Sequence, residues 1–578
     1  MTRPWPAVVL FCGVIGFLAP ASYGLLNGVR EPGVHDEFSY LLGASTFAQG
    51  RLSNPMPPMP EFFEAPHVLV EPTYNSKYPP GQALMLAIGY RIFGHPIWGV
   101  WLSCGLFAAS LCWMLQSWTS MRWAVAITLL TAVTLGTSSY WAQSYWGGMV
   151  AAAGGALLLG GLRHTIHRAR IAVSVLMALG IVILANSRPY EGLLICLPAG
   201  LLLARWMLRS SQLPFPAKLR LVVVPAGIVF VAGGLCMGIY NRAVTGSVTK
   251  TPYDVHVRQY WQRGVFVFDR VHQPERTPPD RVAMFYREHE TPPESGAALR
   301  RTLTQNLSSR LFALAGTPFG VAYLSPDPGY QGLLLWLALL VSVWRSLSIG
   351  ATAAAVLFAV GLECLAWKFV PFYPRVLILT LVTCWAAAFY LSARRNPSAR
   401  FIVGAIGVLA LGQSLTLWWW PHYAAPGLPL LLAVIATTLQ RLTRRSHAFT
   451  TQRVVAVTAC IVIIHASMLA FVASAYGNRD DGAGVGRGMW RAEISHRIER
   501  EPGTHLVIVR YSSDYTVHDE WVYNLADLQG SKVLFAHDLG HRNPELVAAY
   551  PNRTQWLVTV TKDRIHLAPY RVEESVEQ

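Results

Sequence analysis

Thirteen apolar runs of spanning or near-spanning length constrain this chain more than any other feature. They lie near 7–26, 97–118, 123–140, 147–162, 171–187, 191–208, 220–240, 329–345, 350–367, 374–392, 401–420, 424–440 and 454–475. A bilayer core takes about 20 apolar residues of helix. Only 13% of the 578 residues are charged and 53% are hydrophobic, where soluble domains carry about 25% charge. The expected fold is a mostly α polytopic membrane protein. The net charge of +16 would suggest nucleic acid in a soluble protein, but here the basic residues sit in short gaps between apolar runs. They read as topology determinants, and no nucleic acid is expected as a partner. The run 7–26 carries a small-residue sequence, "APAS", of the kind found at signal cleavage sites. It is longer than a signal h-region, so it reads as the first span.

One further run, "GQALMLAIGYRIF" (81–93), is short and contains Arg91. Its length suits an interfacial or re-entrant helix. With 81–93 left out of the spans and the N-terminus inside, the inner loops hold Arg3, Arg122, Arg163, Arg168, Arg170, Arg205, Arg209, Lys218, Arg220, Arg345, Arg394, Arg395, Arg400, Arg441, Arg444, Arg445 and Arg453, and no Asp or Glu. Counting 81–93 as a span would put all of these but Arg3 outside, against the positive-inside rule. The N-terminus is therefore expected in the cytoplasm. Three long segments, 27–96, 243–328 and 476–578, fall on the extracytoplasmic side of a bacterial-type inner membrane. The eight cysteines all lie in apolar runs, with no disulfide or zinc spacing among them.

The first outer loop opens on "HDEFSYLLGASTFAQGRL" (35–52). Phe38, Leu41, Leu42, Ser45, Phe47 and Ala48 approximate one helical face, so 37–49 is expected as a helix on the membrane surface, with Gly50 as its C-cap. Asp36 and Glu37 precede that helix, which would hold them rigidly. Adjacent residues on a helix diverge by about 100°. One of the two is thus expected to be the working carboxylate, favouring Asp36, and the other a cap or support. Farther on, "NSKYPPGQ" puts Lys77 and Tyr78 just before the 81–93 helix, where exposed N–H groups attract an anion.

The segment 243–328 is basic and aromatic, and reads as a binding loop or a solvated linker. The segment 476–578 reads as a separate α/β domain. Strands are expected at 505–511, 532–539 and 554–560, helices at 488–500, 518–529 and 543–550, and a parallel sheet between them. No phosphate-binding glycine fingerprint stands in it.

Other candidates lie at the outer ends of spans. Arg188 in "NSRPYEGLL" breaks the positive-inside trend. It reads either as a lipid-headgroup contact or as a phosphate ligand, since the guanidinium fork matches phosphate. Glu191 is its candidate partner. His422 in "WWWPHYAAP" reads as an ordinary interface residue or a donor to an anionic headgroup. Lys368 and Arg375 are similar. Glu363, inside a span, would serve proton coupling in a transporter. The set suits a site where a carboxylate activates an acceptor hydroxyl and cations neutralise a phosphate leaving group.

In these motifs and their order the chain resembles the GT-C glycosyltransferases, among them the lipid A aminoarabinose transferase, the protein O-mannosyltransferases and the galacturonosyl transferases of the lipopolysaccharide core. "HDEFSYLLGASTFAQGRL", "SKYPPGQALMLAIGYRIFGHP" and "NSRPYEGLL" carry the resemblance, over roughly residues 1–240. It implies a GT-C-like membrane domain (1–475) followed by an extracytoplasmic α/β domain (476–578). It implies inverting transfer of a sugar from a polyprenyl-phosphate-linked donor to a lipid, glycan or protein acceptor. Asp36 would be the base with Glu37 beside it. Lys77, Arg188 and His422 would contact the donor phosphate, and Tyr78 and Glu191 would support them. Many relatives have a second carboxylate in the next outer loop, but here that loop is "YWAQSYWGG" (140–148). A metal-independent site with no required cofactor is implied, with a divalent metal left open. A transporter or flippase of lipid-linked saccharides is the alternative, and internal hydropathy symmetry would favour it.

Overall fold

The computed structural model describes residues 6–288, 397–418, 420–445 and 487–571. The helices in chain order are α1 (Pro6–Asn27), α2 (His35–Ala48), α3 (Pro80–Phe93), α4 (Ile97–Leu115), α5 (Met121–Ser138), α6 (Tyr140–Gln143), α7 (Met149–Arg168), α8 (Ile171–Ala185), α9 (Pro189–Arg209), α10 (Phe215–Lys218), α11 (Val224–Thr245), α12 (Pro252–Tyr260), α13 (Asp280–Glu288), α14 (Pro397–Ser414), α15 (Leu428–Arg445), α16 (Arg487–Glu499) and α17 (Asn543–Ala549). Strands are β1 (Val68–Leu69), β2 (Asn75–Ser76), β3 (Thr504–Tyr511), β4 (Val533–His537), β5 (Arg553–Val560) and β6 (Ile565–Pro569).

Among the described residues, five helices are long and apolar enough to cross a membrane: Pro6–Asn27, Ile97–Leu115, Met149–Arg168, Pro189–Arg209 and the continuous stretch Phe215–Thr245. Shorter apolar helices cover Met121–Thr137, Ile171–Ala185, Arg400–Ser414 and His422–Thr437. Each coincides with an apolar run of the sequence. The expected spans at 329–345, 350–367, 374–392 and 454–475, with Glu363, Lys368 and Arg375, lie outside the described residues.

Close helix approach rests on small residues. A Cβ placed on Gly16 of α1 would come within 2.4 Å of the Ala108 Cβ of α4. Such small-residue contacts drive packing where apolar burial alone cannot, because lipid tails are as apolar as leucine. One core joins residues of α4, α5, α7, α8, α9, α14 and α15.

The short run 81–93 is helical as expected, as α3. α2 departs from the surface helix expected for 37–49. Its buried residues include Glu37, Ser39, Tyr40, Leu42, Gly43, Ala44, Ser45 and Thr46, which lie all round the helix. Tyr40 and Ala44 share a cluster with Ala83, Leu86 and Trp101, whereas Leu42 packs with the C-terminal sheet. α2 is thus sandwiched between two layers. Gly50, at φ +73, takes the left-handed conformation expected of a residue just past a helix end.

The C-terminal sheet has strand order β4-β3-β5-β6. β3 runs parallel to β4 and β5, and β6 closes the far edge antiparallel to β5. The sheet is therefore mixed rather than parallel, with an edge strand the sequence pattern did not suggest. Alternate residues of "HLVIV" point to opposite faces. Val507 and Val509 meet Ile494 and Ile498 of α16. Leu506 and Ile508 join a cluster with Phe62, Phe63, Val68, Val70 and Tyr74 of the first loop. The loop after α1 thus supplies one covering layer of this sheet, and the unit is not closed by its own residues.

The helix expected at 518–529 is absent. Side chains hold that backbone instead: Glu520 Oε1 accepts from the N–H groups of Trp521 and Val522 at 2.9 and 2.8 Å. Asn524 bonds both the N–H and the carbonyl of Phe535 at 2.8 Å. Carboxylate and amide groups that bind nearby backbone compete with helix formation.

Candidate active site

The first loop builds the site from α2. Glu37 is 6% exposed. Its Oε2 accepts from the N–H groups of Gly33 and Val34 at 2.8 and 3.2 Å, and its Oε1 from Tyr145 at 3.1 Å. This is the capping and support role, and it ties the start of α2 to the 140–148 loop. Burial pushes the Glu37 carboxyl above its usual range, against the lowering effect of those N–H groups. Asp36 takes no part in that cap. It is half-buried and accepts a hydrogen bond from the Tyr78 hydroxyl. Burial and the Asp36 charge hold Tyr78 well above the ordinary phenol range, so Tyr78 stays a donor.

Tyr40, one turn after Asp36 on α2, stacks on Tyr78 with centroids 4.5 Å apart. Burial pushes Tyr40 up to about 12, although the Arg188 charge pulls the other way. Arg188 stands at the start of α9 with its guanidinium 4.5 Å from the Tyr423 ring centroid, among Tyr40, Tyr423, Glu191 and Tyr78. Glu191, 7% exposed, is in the first turn of α9. His422 follows the same wall: its Nδ1 lies 2.5 Å from the Tyr140 hydroxyl, and its ring meets Trp146 edge-on at 4.8 Å. The structure thus brings Asp36, Tyr78, Arg188, Glu191 and His422 together around phenol rings.

Gly81 sets how close the two motifs come. Its N–H donates to the Asn186 carbonyl at 2.7 Å, and a Cβ there would sit 2.6 Å from that oxygen. This contact joins the start of α3 to the turn that carries Arg188. At the α3 N-terminus, where an anion site is expected, Asn186 takes the N–H of Gly81.

Lys77 is likewise not an exposed cation. It is 2% exposed, and its Nζ lies 2.7 Å from His67 Nδ1. Three rings surround the ammonium: Trp261 at 5.0 Å, Tyr78 at 5.1 Å and Tyr253 at 5.3 Å. Two of those rings belong to the segment 243–328, which therefore reaches the site. Arg276 of that segment bonds Glu64 and Glu71 of the first loop. Arg281 bonds Glu520 at 3.1 Å and covers the Tyr511 ring at 3.7 Å. The segment links the first loop to the C-terminal sheet.

His35, without an assignable role in the sequence, has its Nδ1 2.7 Å from the Tyr523 hydroxyl and its ring against Phe285 at 4.6 Å. Sequence reading missed Tyr40, Tyr140, Tyr423 and His67. Only Tyr40 carried a signal, its i+4 spacing from Asp36. Among the described residues no group of three or more His, Cys, Asp or Glu is placed to hold a metal ion.

No family model matches the chain, and no curated protein matches it. Solved structures do. ArnT from Cupriavidus metallidurans bound to undecaprenyl phosphate is 14% identical, with 96% of this chain and 92% of that one covered, at a TM-score of 0.45. The Archaeoglobus fulgidus oligosaccharyltransferase in complex with Zn and sulfate is 13% identical, covering 96% of this chain and 67% of that one, at 0.43. The archaeal oligosaccharyltransferase AglB from the same organism, in complex with an inhibitory peptide and a dolichol-phosphate, is 12% identical, covering 96% and 69%, at 0.40. Identities and scores this low assign no residue and no ligand to this chain, so the roles below rest on the site's own geometry.

Proposed function

We propose that this chain is an integral membrane glycosyltransferase. It moves a sugar from a polyprenyl-phosphate-linked donor to a hydroxyl of a lipid, glycan or protein acceptor, on the extracytoplasmic face. One observation carries the reading: the half-buried Asp36 carboxylate, fixed by the Tyr78 hydroxyl, shares an aromatic-walled cluster with the Arg188 guanidinium. A base and a phosphate-matching cation about the same tyrosine rings suit glycosyl transfer from a phosphate.

In this reading Asp36 takes the proton of the acceptor hydroxyl as its oxygen attacks the anomeric carbon. The bond from that carbon to the phosphate oxygen breaks on the opposite side. The sugar is inverted and the polyprenyl phosphate leaves with the electron pair. Arg188 meets the phosphate directly, because its fork can pair two oxygens. His422 and Glu191 hold the Arg188 side of the site. Lys77, sealed behind rings, acts through its positive charge, which a low-dielectric setting screens little. Glu37 orients α2 and does not touch substrate. No step requires a metal.

Equilibrium binding of undecaprenyl phosphate, together with transfer from a polyprenyl-phosphate sugar, tests the reading. Wild type is expected to bind the lipid, and Asp36→Asn to bind it equally while losing transfer. Full transfer by Asp36→Asn would overturn the assignment.

A further inference from the structure

α2 carries Asp36 as its second residue, and a short stretch of the C-terminal unit holds the helix from one side. Phe38, Leu42 and Ser45 recur at i, i+4 and i+7, so they share one stripe of α2. The Phe38 ring stacks on Tyr523 with centroids 4.4 Å apart and planes 2° from parallel. Leu42 shares a cluster with Tyr523 and Ala526. Ser45 Oγ accepts from the Ala526 N–H at 2.9 Å. The stretch that makes these contacts is itself fixed. Arg491 of α16 donates to the carbonyls of Trp521 and Tyr523 at 2.9 and 2.6 Å, and its guanidinium lies over the Phe38 ring at 4.9 Å. The Tyr523 hydroxyl donates to the Pro66 carbonyl at 3.2 Å and lies 2.7 Å from His35 Nδ1.

Asp36 and Phe38 are two residues apart, so their side chains leave the helix about 200° apart. The Tyr523 stack therefore backs α2 from the side away from Asp36. On the Asp36 side, Tyr40 stacks on Tyr78, whose hydroxyl donates to the carboxylate. Whether the carboxylate meets that hydroxyl depends on the roll of α2 about its own axis. We propose that Tyr523 is a positioning residue, whose ring, stacked on Phe38, sets the roll of α2 and so holds Asp36 at Tyr78. The proposal rests on the reading of Asp36 as the base. It gives the C-terminal unit a part in the transfer step, at one remove from the reacting atoms. A pair of flat rings suits this task, because a roll of the helix parts the two faces, and such pairs contribute beyond the area they bury.

Two substitutions separate the ring from the hydroxyl. Tyr523→Phe keeps the stack and removes the hydroxyl. Tyr523→Leu removes the stack and keeps an apolar side chain in its place. Each is made in the wild-type chain and in Asp36→Asn. Sugar transfer is followed in native membranes, where donor and acceptor are both present, and undecaprenyl phosphate binding is measured on the full chain in detergent. Phe38→Leu removes the same stack from the α2 side and is read in the same way should Tyr523→Leu fail to fold.

Tyr523→Leu is expected to lower the rate of transfer by about tenfold to a hundredfold, since a small misplacement of a base is costly, and Tyr523→Phe by about threefold at most. Both are expected to bind undecaprenyl phosphate within about threefold of wild type, because the stack lies on the far side of α2 from Arg188. In Asp36→Asn the Leu substitution is expected to lower the residual transfer no further, because the roll of α2 matters only through the carboxylate. A purely structural role predicts the same loss in both backgrounds. That result would overturn the positioning role, as would wild-type transfer by Tyr523→Leu, or a loss in Tyr523→Phe as large as in Tyr523→Leu. Full transfer by Asp36→Asn would instead overturn the reading of Asp36 as the base. Loss of transfer in Asp36→Asn with none in Tyr523→Leu would overturn the role of Tyr523 alone.

Discussion

Two cations stand near the Asp36–Tyr78 pair, and the protein holds them in opposite ways. Arg188 is half-buried, at the start of a span, with the Tyr423 ring face against it and the Glu191 charge acting on it. Lys77 is 2% exposed, inside three rings and a histidine contributed by two separate loops. Arginine stays charged almost anywhere, so it needs little beyond room for a ligand. A buried lysine readily loses its proton, so its pocket must favour the charged form. Aromatic faces favour the charged form. Under the proposed function, the difference suits Arg188 to contact and Lys77 to acting at a distance.

The largest expected effect lies at the group both cations serve. Asp36→Asn should lower the rate of sugar transfer by about 10²–10⁴-fold, the usual contribution of a positioned base, while undecaprenyl phosphate still binds. Tyr78→Phe should cost less, about tenfold in rate, since it removes one hydrogen bond and leaves the carboxylate. If Tyr78→Phe cost as much as Asp36→Asn, Tyr78 rather than Asp36 would be handling the proton.

A second prediction concerns the loop that brings Tyr253 and Trp261 to Lys77. Arg276 fastens it to Glu64, whose side chain is 1% exposed. Burial pushes the Glu64 carboxyl up while Arg276 draws it down. Removing the arginine alone leaves a buried, uncompensated acid. Arg276→Ala should therefore destabilise the fold by about 3 kcal/mol, and the double substitution Arg276→Ala with Glu64→Gln should recover much of it. Chemical denaturation of wild type, Arg276→Ala, Glu64→Gln and the double variant would show this. Additive losses would mean that Arg276 does not compensate Glu64.

The cations themselves come third. Replacing Arg188 with Met should weaken undecaprenyl phosphate binding by about a hundredfold, as expected for a charged bidentate contact, and Arg188→Lys by about tenfold, since a lysine lacks the fork. Lys77→Met should fall below Arg188→Met in effect, at about tenfold, because it removes field without contact. The reverse ranking would make Lys77 the direct ligand and require the Tyr253 and Trp261 rings to move aside.

How much of this was legible in the sequence follows a physical division. Apolar runs and charge placement gave every described membrane helix, because length and hydropathy are local properties. α3 was readable from its length and its Pro79–Pro80 start. Asp36, Lys77 and Arg188 stood out because charge beside an apolar run is costly. What the sequence hid was reciprocal packing. Leu42 turns to the C-terminal sheet and Tyr40 to α3 and α4, so one apparent amphipathic face is really two opposed contacts. The helix expected at 518–529 failed because Glu520 and Asn524 bind backbone that is distant or non-helical, which periodicity does not register. His67 was invisible because its only mark is a backbone conformation.

The smallest predicted effect sharpens the setting of Lys77 further. His256 is fully buried, with Nε2 2.9 Å from the Tyr286 hydroxyl and an Nδ1 that has no hydrogen-bond partner among the described residues. Burial, then the Lys77 charge, holds it well below the usual imidazole range. In the unfolded chain it takes up a proton near pH 6.5, whereas in the folded chain it does not until the pH is well below that. The unfolded state therefore binds more protons in this window, and stability is full above about pH 6.5 and lost as the pH falls. One such group gives a slope of at most about 1.4 kcal/mol per pH unit. His256→Asn should flatten the fall in stability between about pH 6.5 and pH 5 by up to that slope. The lowered carboxylates Glu520 and Asp538 contribute their own losses below the ordinary carboxylate range, so the comparison is made above it. An unchanged slope in His256→Asn would mean that the folded protein admits a proton at this position. Two positive charges would then share the pocket, and the aromatic cage would have to open to accommodate them.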